Sequence, residues 1–113
     1  MKAVTLSVSS VEETKRQTAA AFRGRRQGAH ISFVSVELLW KLLAPKRLEL
    51  LRVMAGQGAL TIRETARRVK RDVKAVHGDV QALLRAGLLD RTDGGRIVFP
   101  YDTVRVDFTL RAA

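Results

Sequence analysis

The chain has 113 residues, of which 21 are lysine or arginine and 11 are aspartate or glutamate, so its formal net charge is +10. This excess of positive charge predicts a polyanionic partner, which by charge alone could be DNA, RNA or an anionic membrane. There is no cysteine, which excludes disulfides and thiolate metal sites, and His30 and His77 are too far apart in sequence to form a local ligand pair. We therefore expect no metal ion or cofactor, and the length predicts one compact domain with at most a small appended element.

Signals for membrane insertion, secretion and catalysis are missing from the sequence. No apolar run reaches the length of a membrane span, and the first residues lack the long apolar stretch of a signal peptide. There is no cysteine nucleophile, metal cluster, glycine-rich phosphate loop before a helix, or pair of carboxylates in an apolar setting. We expect a cytoplasmic protein that lies on the nucleoid, does not bind membranes and is not an enzyme.

The N-terminal third predicts a strand and a helix. Residues 2–8 alternate apolar and polar side chains with period two, which is typical of a strand. Ser10 and Glu13 have the spacing of a capping box for a helix that runs to about Phe22. The basic segment 23–28 is predicted to be a loop, either an arm on DNA or a solvated linker.

Two apolar helices are predicted next. Residues 35–43 form a short helix that is apolar on most sides, so its leucines and Trp40 are expected to bury against the domain or against a second subunit. Pro45 suits the first position of the following helix, which runs to Met54. Leu48 and Leu51 are expected to face the core together with Met54 or Ala55.

Residues 61–88 carry the most informative pattern in the chain. Thr61 and Glu64 have the spacing of a capping box, and the helix they begin is predicted to run to Val69. A basic turn follows, and Asp72 is placed to cap a second helix. The order of a capped helix, a tight turn and a second helix is that of a helix-turn-helix, which lays its second helix in the major groove of DNA.

The second of these helices has one apolar and one polar face. An inward-packing stripe is predicted from the helical spacing of Val73, Val76, Val80, Leu83 and Leu84. The opposite face is either a DNA-reading surface or only a solvated surface, and it consists of Lys74, His77, Gly78, Gln81 and Arg85.

Three members of that face have expected roles. Lys74 is expected to reach a phosphate or a guanine, and Gln81 is expected to pair with an adenine. Gly78 has no side chain and costs about 1 kcal/mol relative to alanine in a helix, so we expect the backbone to approach DNA or a partner closely there.

A hairpin is predicted after the second helix. Gly87 is suited to end that helix, and the turn at residues 93–95 joins two strand-like runs. Arg91 and Arg96 flank the turn, where a wing touches the sugar-phosphate backbone or the minor groove. An arginine beside an exposed turn can also serve solubility alone.

The C-terminal segment predicts a further strand. Val104, Val106, Phe108 and Leu110 share one face, so one side of this strand is built to be covered. A lone strand leaves an open edge, and we expect it to pair with the N-terminal strand, within one chain or between two.

Three stretches of the chain, residues 33–51, 62–77 and 97–108, resemble the small prokaryotic winged-helix regulators related to the multiple-antibiotic-resistance repressors. The similarity covers nearly the whole chain, and the segment KRDVKAVH at 70–77 is its most specific part. The resemblance implies a transcriptional regulator that controls its own operon. Some members of the family resemble antitoxins encoded beside a small toxin.

Together these patterns predict a mainly α fold with a small β-sheet: a winged helix-turn-helix with an N-terminal strand-helix extension and a C-terminal strand. Residues 1–34 form the extension, for dimerisation or partner contact, and residues 35–113 form the winged-helix domain. The predicted function is sequence-specific regulation by a homodimer on double-stranded DNA, and the alternative is an antitoxin that neutralises a small toxin protein. The predicted DNA-binding residues are Arg63, Arg67, Arg68, Lys70, Arg71, Lys74, His77, Gly78, Gln81, Arg85, Arg91 and Arg96.

Overall fold

The computed structural model describes residues 2–8 and 29–109. Within those ranges the chain is a small α/β protein with four α-helices and five strands. The predicted helix that starts at Ser10 and the predicted basic loop at 23–28 lie outside the described residues. In chain order the elements are β1 (Ala3–Val8), β2 (Ala29–Phe33), α1 (Val36–Leu42), α2 (Pro45–Met54), α3 (Ile62–Val69), α4 (Val73–Ala86), β3 (Asp90–Arg91), β4 (Ile97–Val98) and β5 (Thr103–Asp107).

The chain divides into two compact units. Unit 1 consists of residues 1–41 and 103–113, and unit 2 consists of residues 42–102. This division groups the C-terminal strand β5 with the N-terminal strand β1, whereas the sequence-based limits assigned β5 to the same domain as the helices.

Unit 1 contains a parallel three-stranded sheet with β1 in the centre and the order β2-β1-β5. Val4 of β1 lies opposite Ala29 on one side and Val104 on the other. The predicted pairing of β1 with β5 is therefore confirmed, and it forms within one chain. The central strand has its apolar side chains fully buried at Val4 and Leu6.

Helix α1 buries one stripe rather than its whole surface. Leu39 and Leu42 are buried, whereas Leu38 and Trp40 are each 48% exposed. Burial of all these side chains within the single chain is therefore not found, because a helix of two turns directs neighbouring residues about 100° apart and so has two sides. Burial of Leu38 and Trp40 against a second subunit stays a prediction. Trp40 instead packs edge-on against Phe108, with ring centroids 5.5 Å apart.

Helix α2 begins at Pro45, as predicted, and its buried stripe is formed by Leu50, Leu51 and Met54. Leu48 is exposed and not a core residue. Its direction on the helix lies away from that stripe, which explains why the prediction for this leucine is wrong.

The core of unit 2 is completed by the last two helices and the hairpin. Gly87 ends α4 with a left-handed φ of 89°, and its N–H donates to carbonyls of the last helical turn, so this predicted helix end is confirmed. The buried apolar side chains of this part are Leu60, Ala66, Val76, Val80, Leu83, Leu88, Leu89, Ile97 and Phe99.

No helix in the described ranges is both long enough and apolar enough to cross a membrane. Residues 2–8 and 29–109 also contain no cluster of three or more histidine, aspartate or glutamate side chains with the geometry of a metal site.

Candidate nucleic-acid interface

Helix α3 begins with the predicted capping box. The hydroxyl oxygen of Thr61 accepts a hydrogen bond from the Glu64 amide at 3.0 Å, and a carboxylate oxygen of Glu64 accepts one from the Thr61 amide at 3.4 Å. The Thr61 hydroxyl also donates to that carboxylate at 3.1 Å. These hydrogen bonds, first that of the hydroxyl, lower the pKa of Glu64, and the charges of Arg96 and Arg68 add to the effect. The start of α3 is thus fixed by its own first turn.

The turn between α3 and α4 is short and is held by backbone hydrogen bonds. Lys70 adopts a left-handed conformation with φ 56° and ψ 47°, which costs a non-glycine residue about 1–2 kcal/mol. The amides of Lys70 and Arg71 donate to α3 carbonyls, that of Arg71 to Ala66 at 3.1 Å. Asp72 then caps α4 by accepting from the amides of its first turn. These bonds set the relative direction of the two helices.

A partly buried triad of ionised side chains joins three elements of unit 2. Asp79 of α4 accepts a hydrogen bond from Arg47 of α2 at 3.0 Å and one from Arg71 of the turn at 2.7 Å. The Asp79 side chain is only 17% exposed. Burial raises the pKa of its carboxyl, but the hydrogen bonds and charges of the two arginines outweigh burial and hold that pKa below its ordinary value. The triad carries two positive charges and one negative charge, so it keeps a net positive charge.

Arg71 therefore has a different place from the one predicted. It was expected to bind DNA directly, but its guanidinium is largely buried and bonded to Asp79. Its Nη1 atom is buried and has no hydrogen-bond partner within the described residues. The residue fixes the turn against α4, and only its positive charge is left to act on a nearby anion.

The outward face of α4 agrees with the predicted one except at Gln81. Lys74, His77, Gly78 and Arg85 are exposed, whereas Gln81 is half-buried. Beside Gly78 the surface is open, since an added Cβ would meet nothing within 4 Å.

Val73 was expected to pack inward but is 42% exposed. It is the first residue of α4 and lies beyond the buried stripe of Val76, Val80 and Leu83. Leu84, also expected in the core, is half-buried.

An open cleft of about 420 Å³ lies where α3, the turn and α4 meet. Arg63 and Arg67, one helical turn apart on α3, are both exposed and form no ion pair within the described part of the chain. These two exposed charges, together with the net positive charge of the triad that contains Arg71, favour an anion such as a phosphate. We call this feature the arginine cleft, and it is lined by Arg63, Ala66, Arg67, Arg71 and Val73.

The hairpin is attached to the segment that precedes α3. Strands β3 and β4 are antiparallel, with Arg91 opposite Ile97. Ile97 also exchanges two backbone hydrogen bonds of 2.8 Å with Leu60, directly before the Thr61 cap. The turn is a short 3-10 segment, Asp93–Gly95. Gly94 has a φ of 82°, a left-handed backbone conformation that favours glycine because it has no side chain. Arg91 and Arg96 are exposed on the two sides of the turn, as predicted.

The remaining predicted contacts are also at the surface. Lys70 is exposed in the turn. Arg68 is exposed, but its guanidinium donates to the side-chain oxygen of Gln57 at 2.8 Å. A DNA contact by Arg68 would therefore compete with an existing hydrogen bond.

Two residues of this region were missed by the sequence-based prediction. Arg47 falls on the stripe of Leu50, Leu51 and Met54 at helical spacing, and Asp79 falls in the same way on the buried stripe of α4. Opposite charges on the buried stripes of two helices are a readable indication of an ion pair, because an unpaired buried charge is costly.

Comparison with known proteins identifies the family of the chain. No curated protein matches the sequence, and no solved structure matches the chain. The sequence model of the HVO_A0114 family matches residues 42–106, which include all of unit 2 and most of strand β5. Since this match spans more than half of the sequence, the chain belongs to the HVO_A0114 family.

Proposed function

We propose that the chain is a DNA-binding transcriptional regulator whose unit 2 acts as a winged helix-turn-helix on double-stranded DNA. The observation that carries the proposal is the arginine cleft. It gathers three arginines at the junction of two helices that a bonded turn holds at a fixed angle. Arginines held at fixed positions can match the phosphates of DNA, because these charges lie at regular intervals along the backbone.

In this arrangement α4 lies in the major groove. Lys74, His77 and Gln81 contact base edges or the phosphates beside them, and Gly78 lets the helix backbone come close. Gln81 has to extend from a half-buried position to do so. Lys70 and Arg85 add charge at the two ends of this surface.

The cleft and the hairpin hold the DNA backbone. Arg63 and Arg67 bind a phosphate in the arginine cleft, and Arg71, whose guanidinium is largely buried and bonded to Asp79, supports it with its charge. Arg91 and Arg96 reach a phosphate or the minor groove from the hairpin. The protein acts by binding, without catalysis and without a cofactor, on the nucleoid and as a homodimer that controls its own operon.

The test is a binding titration of fluorescent duplex from upstream of the gene, and of a scrambled duplex, at several salt concentrations. The variant R63A/R67A should weaken binding to both duplexes and lower the slope of log K against log salt by about one for each lost phosphate contact. The matched control is Arg52→Ala, which removes an exposed arginine that pairs with Glu49 on α2. An unchanged slope for R63A/R67A would contradict the phosphate assignment.

Base reading is measured with the same titration. Gln81→Ala should weaken binding to the upstream duplex by about 1–3 kcal/mol and leave the scrambled duplex nearly unaffected. Equal losses on the two duplexes would remove Gln81 from the reading surface. Equal affinity of the unaltered protein for both duplexes would leave only charge-driven binding and refute a sequence-specific regulator.

A second candidate function is that of an antitoxin, a protein that neutralises a small toxin by covering it. The observation in its favour is the exposed apolar surface of unit 1, which includes Val34, Leu38 and Trp40. Co-expression with the protein encoded beside the gene, followed by co-purification, distinguishes this function. A stable complex that survives the change Trp40→Ala would contradict this surface as the contact.

A further inference from the structure

Strand β5 forms an open edge of the sheet in unit 1. One side of β5 pairs with β1, and no strand among residues 2–8 and 29–109 pairs with its other side. An edge strand presents a row of unpaired backbone N–H and C=O groups and is a template for another strand.

The side chains of β5 are ordered in a way that suits such a pairing. Arg105 and Asp107 share one face, both are exposed, and neither forms an ion pair within the described ranges. The other face carries Val104 and Val106 and is continued by Phe108 directly after the strand; Val106 is 37% exposed and Phe108 is 39% exposed. The strand thus carries one positive and one negative charge on one face and an apolar row on the other.

We propose that β5 pairs with β5 of a second copy of this chain, antiparallel, about a two-fold axis at Val106. In this register Arg105 lies opposite Asp107 of the second copy, and the symmetry forms this ion pair twice. On the other face Val106 lies opposite Val106 of the second copy, and Val104 lies opposite Phe108. Cross-strand pairs of opposite charge and of apolar side chains both stabilise a sheet.

The neighbouring registers are unfavourable. In an antiparallel pair, residues directly opposite one another point to the same face of the sheet. If the apolar faces of the two β5 strands are to lie on the same side, the two-fold axis must therefore pass through a residue and not between two residues. An axis at Arg105 or at Asp107 sets like charges opposite each other. An axis at Val104 sets Asp107 opposite a position before Thr103, the first residue of the partner's β5, so Asp107 has no strand residue to pair with.

This inference deepens the dimer that is part of the proposed function, but it rests on unit 1, and its experiments contain no DNA. If the experiments on β5 contradict the strand pairing, the DNA titrations still test the proposed DNA binding independently. Likewise, a protein that forms this dimer and binds no DNA would contradict only the regulatory function.

The first experiment is disulfide trapping in the full chain, which has no cysteine of its own. Val106→Cys should give a covalent dimer under mild oxidation, because the axis brings residue 106 of each copy together. The matched control is Val104→Cys, on the same face of the same strand, which lies opposite Phe108 and should stay monomeric in a denaturing gel. Equal cross-linking of the two variants, or none from Val106→Cys, would overturn the register.

A charge exchange tests the same register without a covalent bond. In sedimentation experiments R105D and D107R should each raise the dimer dissociation constant about ten-fold, because each variant places like charges opposite one another. A mixture of the two variants should form a heterodimer with the affinity of the unaltered protein, because opposite charges then meet again. A monomeric unaltered protein at micromolar concentration, or folded single variants that dimerise as it does, would refute the proposal.

Discussion

The two units of the chain differ in where their apolar side chains lie. In unit 2 the helices and the hairpin enclose a core in which Val80, Leu83 and Ile97 are fully buried. In unit 1 the central strand is buried, but the surface keeps large apolar groups. Of the seven exposed large apolar side chains in the described ranges, two belong to unit 2, Leu48 and Val73, and five belong to unit 1, Val34, Leu38, Trp40, Val106 and Phe108.

This difference agrees with the separate roles that the proposed function and the proposed strand pairing give to the two units. Unit 2 is closed by its own side chains and presents charge, which suits contact with a polyanion. The described part of unit 1 has an apolar face and a strand edge that no described strand covers, which suits contact with protein. The HVO_A0114 family match follows the same division, since it covers unit 2 and only β5 of unit 1 within the described residues.

The largest expected effect tests whether the closed core stabilises unit 2. Leu83 is fully buried on α4, so Leu83→Ala should lower the free energy of unfolding by about 2–5 kcal/mol, measured by denaturant titration. Leu48→Ala is the matched control, because Leu48 is exposed in the same unit, and it should change stability by less than about 1 kcal/mol. Equal losses for the two variants would mean that burial does not separate the core of unit 2 from its surface.

The next effect tests the partly buried triad of Asp79, Arg47 and Arg71 in unit 2. Asp79→Ala leaves two arginines without their common partner and should cost about 2–4 kcal/mol, somewhat below a fully buried pair because water still reaches the carboxylate. Denaturant titration measures the loss. Glu49→Ala is the control, since it removes an exposed ion pair with Arg52 and should cost less than about 1 kcal/mol.

Acid pH provides an independent check on Asp79. The pKa of Asp79 is lowered in the folded protein, so its contribution to stability is complete above the ordinary carboxyl pKa of 3.8 and is lost as the pH falls through the lower folded value. Stability should therefore fall below about pH 4, and Asp79→Asn should show less of this fall. A parallel acid response in both proteins would show that Asp79 does not stabilise the fold through its charge.

The smallest effect tests a local feature of unit 2. Thr61→Ala removes the side-chain acceptor of the capping box and should lower stability by about 1 kcal/mol. Thermal unfolding followed by circular dichroism measures this loss, and Thr61→Ser, which keeps the hydroxyl, should restore most of it. If the serine variant is as unstable as the alanine variant, the hydroxyl is not the group that matters.

Sequence reasoning succeeded where the determinants are local. The Thr61 and Glu64 cap, the Asp72 cap and the Gly87 helix end each depend on residues within one helical turn, and each is confirmed. The hairpin around residues 93–95 was found for the same reason.

The errors concern residues whose partners are distant in sequence. Strand β2 was not predicted, because it is defined by its pairing with β1 rather than by its own pattern. The ion pairs of Arg71 and Arg47 with Asp79 were not predicted, because these partners lie on different elements. The predicted burial of Val73 is wrong because the spacing of apolar residues along a helix does not show where the helix extends past the core.

Strands β1 and β5 lie side by side although all of unit 2 separates them in the chain. During synthesis β1 is therefore made well before β5, and the whole segment of unit 2 is made between them. The sheet of unit 1 consequently cannot be completed until that segment has been made. Until it closes, the side of β1 that later receives β5 is exposed, and that interval is when we expect the nascent chain to be most prone to aggregation.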